Sequence, residues 1–222
     1  MKKSTLTLLN GVRLFIPVNL NTMASKERIQ RLKEETRVNI LDAAFKIVKN
    51  DGWQSLSMRK IADEIEYTAP IIYEYFANKE AILQELTKKG YLVLAEDLRD
   101  AKSKHATPEK QLEAMWLAYW DFAFAHKEFY QLMFGVEMNC CVMKTESPEL
   151  QAPALMFSEV IQKLMKLDDK DDDAICTKYY TFWSVVHGLI SINIVRRGVS
   201  DDINQQILKD AINGIIRSMM DE

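Results

Sequence analysis

Turn-forming residues are scarce in this chain of 222 residues, which contains only 7 Gly and 5 Pro. An average protein carries about 7% Gly and 5% Pro, roughly twice as many. Folds built from short strands and tight hairpins need these residues, whereas a helix loses about 1 kcal/mol for each interior Gly and about 3 kcal/mol for each interior Pro. The composition therefore predicts an all-α protein with one large or two small domains, and it disfavours β-sandwich, collagen-like and disordered chains.

Cysteine usage and hydropathy restrict the class of protein further. Cys140, Cys141 and Cys176 form an odd set without C-x-x-C spacing, which predicts reduced thiols in a cytoplasmic protein and no disulfide framework or zinc site. No apolar run approaches the roughly 18 residues of a membrane span, so we expect no membrane partner. Residues 1–22 are interpreted as a disordered leader or a mis-assigned start, with Met23 as the alternative first residue.

Basic residues are concentrated near the N terminus, although the net charge of the chain is −3. Residues 23–61 contain nine Lys or Arg and five acidic residues, whereas residues 80–222 contain 16 basic and 23 acidic residues. A local basic face can bind phosphates on an otherwise acidic protein. Because helical surfaces commonly carry charge, this asymmetry favours nucleic-acid binding only in combination with a motif.

Helical periodicity and capping residues predict two short helices in the basic region. A first helix is predicted over about 26–50, with Gly52 as a left-handed stop just after it. Ser57 is placed to cap the next helix. After a three-residue connection, Thr68 and Pro70 start another helix, and Asn78 caps a long one over about 79–102. Short helices at this separation are typical of a helix-turn-helix, and an ordinary helical hairpin inside a bundle is the alternative.

Several residues in this region carry a resemblance to a known family. They are Ile40-Leu41-Asp42-Ala43-Ala44, Gly52-Trp53, Ser57-Met58-Arg59-Lys60-Ile61-Ala62, Thr68, Ile72-Tyr73-Glu74-Tyr75-Phe76 and Asn78-Lys79-Glu80. In this joint spacing the segment resembles the N-terminal DNA-binding domain of the TetR family of bacterial transcriptional regulators. One departure is Glu66, where the family usually has Gly, and a left-handed backbone at a non-Gly residue costs about 1 kcal/mol.

The C-terminal half contains a shorter resemblance. Trp183, His187 and Gly188 are similar to the W-x-x-x-H-G signature of one subgroup of TetR ligand domains. Trp183 and His187 are four residues apart and are therefore expected on one face of a helix.

The resemblance implies that the helix of about 69–76 enters the major groove of an operator in double-stranded DNA. Four residues are then candidates for base contacts, namely Thr68, Ala69, Pro70 and Tyr73. Four more are candidates for phosphate contacts: Ser57, Arg59, Tyr75 and Lys79. Since few of the first four can make bidentate hydrogen bonds, we expect specificity to depend on apolar contacts and DNA shape.

The larger region, residues 81–222, is expected to bind a ligand and to dimerise. Its central segment, about 108–165, is rich in aromatic and Met residues, which are typical of a plain core but also of a pocket for a hydrophobic or amphipathic molecule. The candidate ligand residues are Tyr119, Trp120, Tyr179, Trp183 and His187. A loop over 135–148 is expected beside this pocket. The resemblance implies a homodimer formed by the last two helices, about 173–196 and 202–220.

Other chemistries find no support in the sequence. His105, His126 and His187 lack the spacing of a helical metal site, and the acidic run 168–173 lacks the Gly and distal Glu of a calcium loop. Without a phosphate loop or a nucleophile elbow, we expect no enzyme, no cofactor and no metal. The sequence thus predicts a helix-turn-helix domain at 23–80 and a repressor released by a small molecule. The alternatives are a TetR-like activator and a helical adaptor or enzyme without DNA binding.

Overall fold

The computed structural model describes residues 20–135, 147–167, 172–195 and 199–221, and every regular element in them is helical, as predicted. Residues 1–19 lie outside these ranges. So do residues 136–146 of the predicted loop and residues 168–171 of the acidic run. The α-helices are α1 (Leu20–Asp51), α2 (Met58–Glu64), α3 (Ala69–Tyr75), α4 (Lys79–Ser103), α5 (Pro108–Ala125), α6 (Lys127–Phe134), α7 (Pro148–Met165), α8 (Asp172–Val195) and α9 (Asp201–Met220). Helix α1 begins six residues before its predicted start.

The chain divides into two units, Met1–Ala77 and Asn78–Glu222. In the first unit α1 packs against α2, and α2 packs against α3. The fully buried side chains of Ile40, Ile61 and Ile72 come from these three helices and form the centre of its core. A short helix of seven residues such as α3 is marginal alone, so this apolar contact is what holds it in place.

Local hydrogen bonds cap α2 and α4 as the sequence predicted, whereas the side chain of Thr68 makes no capping bond at the start of α3. The Ser57 hydroxyl oxygen accepts a bond from the Lys60 amide at 3.2 Å, and the Asn78 side chain accepts one from the Ala81 amide at 2.9 Å. Glu66 adopts the left-handed backbone that the family pattern requires, with a φ of 59°. The amide of Tyr67 donates to the Ala62 carbonyl at 2.9 Å, which closes α2 in a Schellman motif. The turn therefore keeps its geometry without glycine.

The second unit is a bundle built around α4 and α5. Helix α4 packs against α5, α6 and α7, while α8 and α9 pack against α5, α7 and each other. Trp116 on α5 is fully buried, and its ring stacks on Phe157 at 4.0 Å and on Phe182 at 5.4 Å. This aromatic stack joins three helices in the centre of the bundle. No helix among the described residues is long and apolar enough to cross a membrane.

Candidate functional site

The N-terminal end of α3 presents an exposed surface in the first unit. Thr68, Pro70 and Tyr73 are exposed, and Tyr73 retains 54% of its accessible surface. Ile72 faces the opposite way and is fully buried, so the helix cannot turn these side chains inward without losing its core contact. Ala69 is half-buried at the same end. The structure thus brings together the four predicted base-contacting residues on a short, fixed helix.

The predicted phosphate contacts differ in their surroundings. Arg59 is exposed on α2 and makes no ion pair with any residue in the described ranges, which leaves its guanidinium available to a phosphate. Ser57 already uses its hydroxyl oxygen as the cap of α2, although its O–H can still donate. Tyr75 is half-buried at the end of α3. Lys79 is the first residue of α4 and belongs to the second unit.

Three other basic residues of the first unit contact partners within it. Lys46 pairs with Glu64 at 2.6 Å, and Lys60 pairs with Asp51 at 3.3 Å. The guanidinium of Arg37 lies 5.1 Å from the centre of the Phe76 ring, at the end of α3. These contacts support the position of the short helices.

The second unit contains a cavity of about 240 Å³ with aromatic walls. Three of the predicted ligand residues line it: Tyr119, Tyr179 and Trp183. Sequence reasoning missed most of the remaining wall, because it comes from helices far away in the chain. These residues are Tyr91, Leu94, Phe134, Leu150, Pro153, Ala154, Phe157 and Tyr180. A mainly apolar enclosure with a few polar groups is typical of a small-molecule site.

His187 contacts the cavity wall through a hydrogen-bonded cluster. The Trp183 indole N–H donates to the Tyr119 hydroxyl at 3.1 Å, and the Tyr119 hydroxyl lies 3.4 Å from Nδ1 of His187. The Tyr130 hydroxyl bonds the same Nδ1 atom at 2.5 Å. Burial lowers the pKa of His187 from its ordinary value, so the imidazole is neutral at neutral pH and can accept this bond. Trp183 and His187 also stack at 4.7 Å, as their four-residue spacing predicted.

Trp120 does not lie with the other candidate ligand residues. It is buried on another face of α5 and lines a groove of about 830 Å³ together with Asp121, Asp201, Asn193 and Asn204. This groove is larger than the aromatic cavity, but charged and amide side chains make up much of its wall. The structure therefore separates Trp120 from Tyr119, Tyr179, Trp183 and His187.

In the part of the chain that the structure describes, no three His, Cys, Asp or Glu side chains converge on a possible metal position. Cys176 is an exposed thiol on α8, and Cys140 and Cys141 lie outside the described residues.

Two family profiles match this chain. The profile of "Bacterial regulatory proteins, tetR family" matches residues 40–86, which include α2, α3 and the start of α4. The profile "Tetracyclin repressor-like, C-terminal domain" matches residues 112–210, which include the predicted ligand residues. The two matches therefore fall on the two candidate sites.

Individual relatives are distant in sequence but similar in fold. The HTH-type transcriptional repressor NicS of Pseudomonas putida is 24% identical over 119 residues, which are 54% of this chain and 56% of NicS. The matched region spans about half the length of the curated relatives. A protein of unknown function from Rhodococcus sp. RHA1 superposes with a TM-score of 0.68 at 20% identity, over 82% of this chain and 94% of that one.

A further solved structure contains a bound ligand. It is Thermus thermophilus FadR, described as a TetR family transcriptional repressor in complex with lauroyl-CoA. Its TM-score is 0.55 at 16% identity, over 83% of this chain and 93% of that chain. At this identity the similarity establishes the fold alone.

Proposed function

Because the chain belongs to the tetR family of bacterial regulatory proteins, whose members are transcriptional regulators and not enzymes, we propose that it represses transcription from an operator in double-stranded DNA. A small hydrophobic or amphipathic effector in the aromatic cavity releases it. The observation that carries the proposal is the exposed N-terminal end of α3, held in place by the buried Ile72. Because the operator lies on the chromosome, we expect the protein in the cytoplasm.

The α3 side chains favour a particular kind of DNA recognition. Tyr73 and Thr68 each offer one hydroxyl, and Pro70 offers an apolar face that can pack against a thymine methyl group. Such single bonds discriminate between bases less than bidentate ones, so DNA shape contributes to specificity. Arg59 and Lys79 add sequence-independent phosphate contacts, and Ser57 and Tyr75 are secondary candidates.

The last two helices support the homodimer in this proposal. Among their exposed apolar side chains, Ile192 retains 58% and Val195 retains 79% of its accessible surface, and Ile203 and Ile207 are also exposed. The helix glycines Gly188 and Gly214 face open space, since an added Cβ would meet no atom within 4 Å. A second copy covering α8 and α9 would bury these groups. It would also supply the second recognition helix for a half-site about one DNA turn away.

Helix α4 supplies the route by which effector binding changes DNA binding. Tyr91 and Leu94 of α4 line the cavity, and α4 begins directly after the first unit in the chain. Near Tyr91, α4 lies so close to α6 that a Cβ added to Gly90 would come within 2.7 Å of the Met133 sulfur. A ligand that displaces Phe134 of α6 therefore acts on α4. Release requires a coupling free energy of only about 1–3 kcal/mol.

The relatives support both parts of the proposal without fixing its details. NicS is named a transcriptional repressor, and the Thermus thermophilus FadR structure holds lauroyl-CoA. A repressor role and a lipid-like or aromatic effector are therefore the hypotheses to test first.

Fluorescence anisotropy with labelled DNA from beside the protein's own gene tests the DNA-binding role. We expect binding that unlabelled random DNA competes for poorly, and we expect Tyr73→Ala to abolish this preference. Arg59→Ala should weaken binding to both DNAs and reduce the slope of log affinity against log salt by about one. Arg99→Ala, an exposed arginine of the second unit, is the matched control and should change neither. Persistent absence of specific binding at low salt would contradict the proposal and favour an adaptor.

A reporter gene placed behind the same DNA tests the sign of regulation. Deletion of the regulator should raise expression if it is a repressor. A fall in expression would identify an activator instead.

A further inference from the structure

The walls of the aromatic cavity carry no charged side chain among the described residues. The titratable groups of the hydrogen-bonded cluster at this wall are also neutral, because burial lowers the pKa of His187 and raises the pKa of Tyr119 and Tyr130. An ionised ligand group entering this cavity would lose its water without gaining an opposite charge. The lining therefore favours an uncharged molecule.

The size and shape of the cavity indicate a compact ligand. Its volume is about 240 Å³, just below the roughly 300–1,000 Å³ of common small-molecule pockets. The faces and edges of Phe134, Phe157 and Trp183 form much of the wall. Aromatic side chains pack best against another flat ring in an offset or edge-on arrangement. One or two fused rings fit these dimensions and this surface.

Two tyrosine hydroxyls in the wall have no hydrogen-bond partner among the described residues. They are those of Tyr91 on α4 and Tyr179 on α8, both half-buried. Burial raises the pKa of both phenols, and Tyr91 is near enough to raise the pKa of Tyr179 further. By contrast, the Tyr119 hydroxyl is occupied by Trp183 and His187, and Tyr180 is 57% exposed at the rim. A polar group on the ligand would satisfy Tyr91 and Tyr179 where the protein does not.

We propose that the effector is an uncharged compound of one or two fused rings bearing a hydroxyl or carbonyl group, which hydrogen-bonds to Tyr91 and Tyr179. This inference rests on the proposed role of the cavity as the effector site, and it adds the chemical class and the two residues that select it. Lauroyl-CoA, by contrast, carries ionised phosphates, for which the described wall of this cavity offers no countercharge.

Isothermal titration calorimetry on the full chain, with 2-naphthol as the probe, tests the proposal. Naphthalene lacks the hydroxyl group, 2-naphthalenesulfonate carries a charge, and lauroyl-CoA represents the acyl thioesters. We expect 2-naphthol to bind most tightly. Tyr91→Phe and Tyr179→Phe should each weaken 2-naphthol binding about five-fold, the equivalent of one hydrogen bond, and leave naphthalene binding unchanged. The matched control Tyr67→Phe, at an exposed tyrosine of the first unit, should change neither.

Three results would overturn the ligand class. They are sulfonate or lauroyl-CoA binding as tight as that of 2-naphthol, no 2-naphthol binding up to millimolar concentration, and equal losses of naphthalene and 2-naphthol affinity in the Tyr→Phe variants. The last result would mean that the tyrosines only shape the wall.

A parallel titration of labelled operator DNA separates the two proposals. If 2-naphthol binds as predicted but DNA does not, the ligand class stands and the repressor role fails. If DNA binds and only another class of compound releases it, the reverse holds.

Discussion

The two candidate sites are assembled in opposite ways. The DNA-binding candidates lie between Ser57 and Lys79, and hydrogen bonds between near neighbours in sequence set their positions. The cavity takes its wall from helices α4 to α8, and residues from Tyr91 to Trp183 meet only when the bundle has packed. We therefore expect changes in the first site to act through caps, turns and charge. Changes in the second should act through packing.

The largest expected effect compares two tryptophans of the second unit. Trp116→Ala should lower the free energy of unfolding by about 3–5 kcal/mol, because it removes a fully buried ring from a stack that joins three helices. Trp183→Ala should cost less, since Trp183 is half-buried in the cavity wall, but it should abolish effector-induced DNA release. Urea unfolding at fixed protein concentration and a DNA-release assay measure the two effects. A larger loss of stability for Trp183→Ala than for Trp116→Ala would contradict the assignment of Trp116 to the core and of Trp183 to the cavity wall.

A smaller effect separates the two roles assigned to Ser57. Ser57→Ala should cost about 1 kcal/mol of stability, because the first turn of α2 loses its capping acceptor. Ser57→Asp keeps an acceptor and should retain stability, but its charge should repel a nearby phosphate and weaken DNA binding. Thermal unfolding and DNA anisotropy on both variants check this. Unchanged DNA affinity in Ser57→Asp would leave Ser57 with the capping role alone.

Replacing Glu66 tests how much the non-glycine turn costs. Glu66→Gly should raise the free energy of unfolding by up to about 1 kcal/mol, because glycine adopts a positive φ without strain. Asp63→Gly, three residues earlier inside α2, is the matched control and should lower it by about 0.3 kcal/mol, the difference in helix propensity between Asp and Gly. If denaturant titration shows that both variants are destabilised, the turn at Glu66 is not strained.

The smallest expected effect is the pH dependence contributed by His187. Its folded pKa lies below that of the unfolded chain, so the unfolded state binds more protons as the pH falls below about 6.5. The stability contribution is therefore complete above this pH and is lost as the pH falls through the lowered pKa. His187→Gln removes it, so the wild type should lose stability relative to the variant between pH 7.5 and pH 5. Parallel stability curves would contradict the assignment.

The sequence was sufficient wherever the determining contacts are local. The caps at Ser57 and Asn78, the stacking of Trp183 on His187 and the left-handed position of Glu66 all follow from residues within five positions of each other. The early start of α1 was missed because residues 1–22 were interpreted as a leader.

The cavity wall could not be predicted in the same way. Tyr91, Phe134 and Phe157 lie on three different helices, and their aromatic character is equally consistent with plain core. Trp120 directly follows Tyr119 and is also aromatic, so residue type alone does not distinguish them. Because successive residues of a helix are rotated by about 100°, Trp120 lies on another face of α5. Only the packing of the bundle distinguishes the two.

The central claim is that one protein couples the two sites, and reciprocal titration tests it most directly. The affinity for operator DNA is measured with and without saturating 2-naphthol, and the affinity for 2-naphthol is measured with and without operator DNA. Thermodynamic linkage requires the same factor in both directions, about 5- to 150-fold for a coupling of 1–3 kcal/mol. Our account predicts two equal factors in this range, both reduced to one in Trp183→Ala. Equal affinity of 2-naphthol for the free and the DNA-bound protein would contradict it.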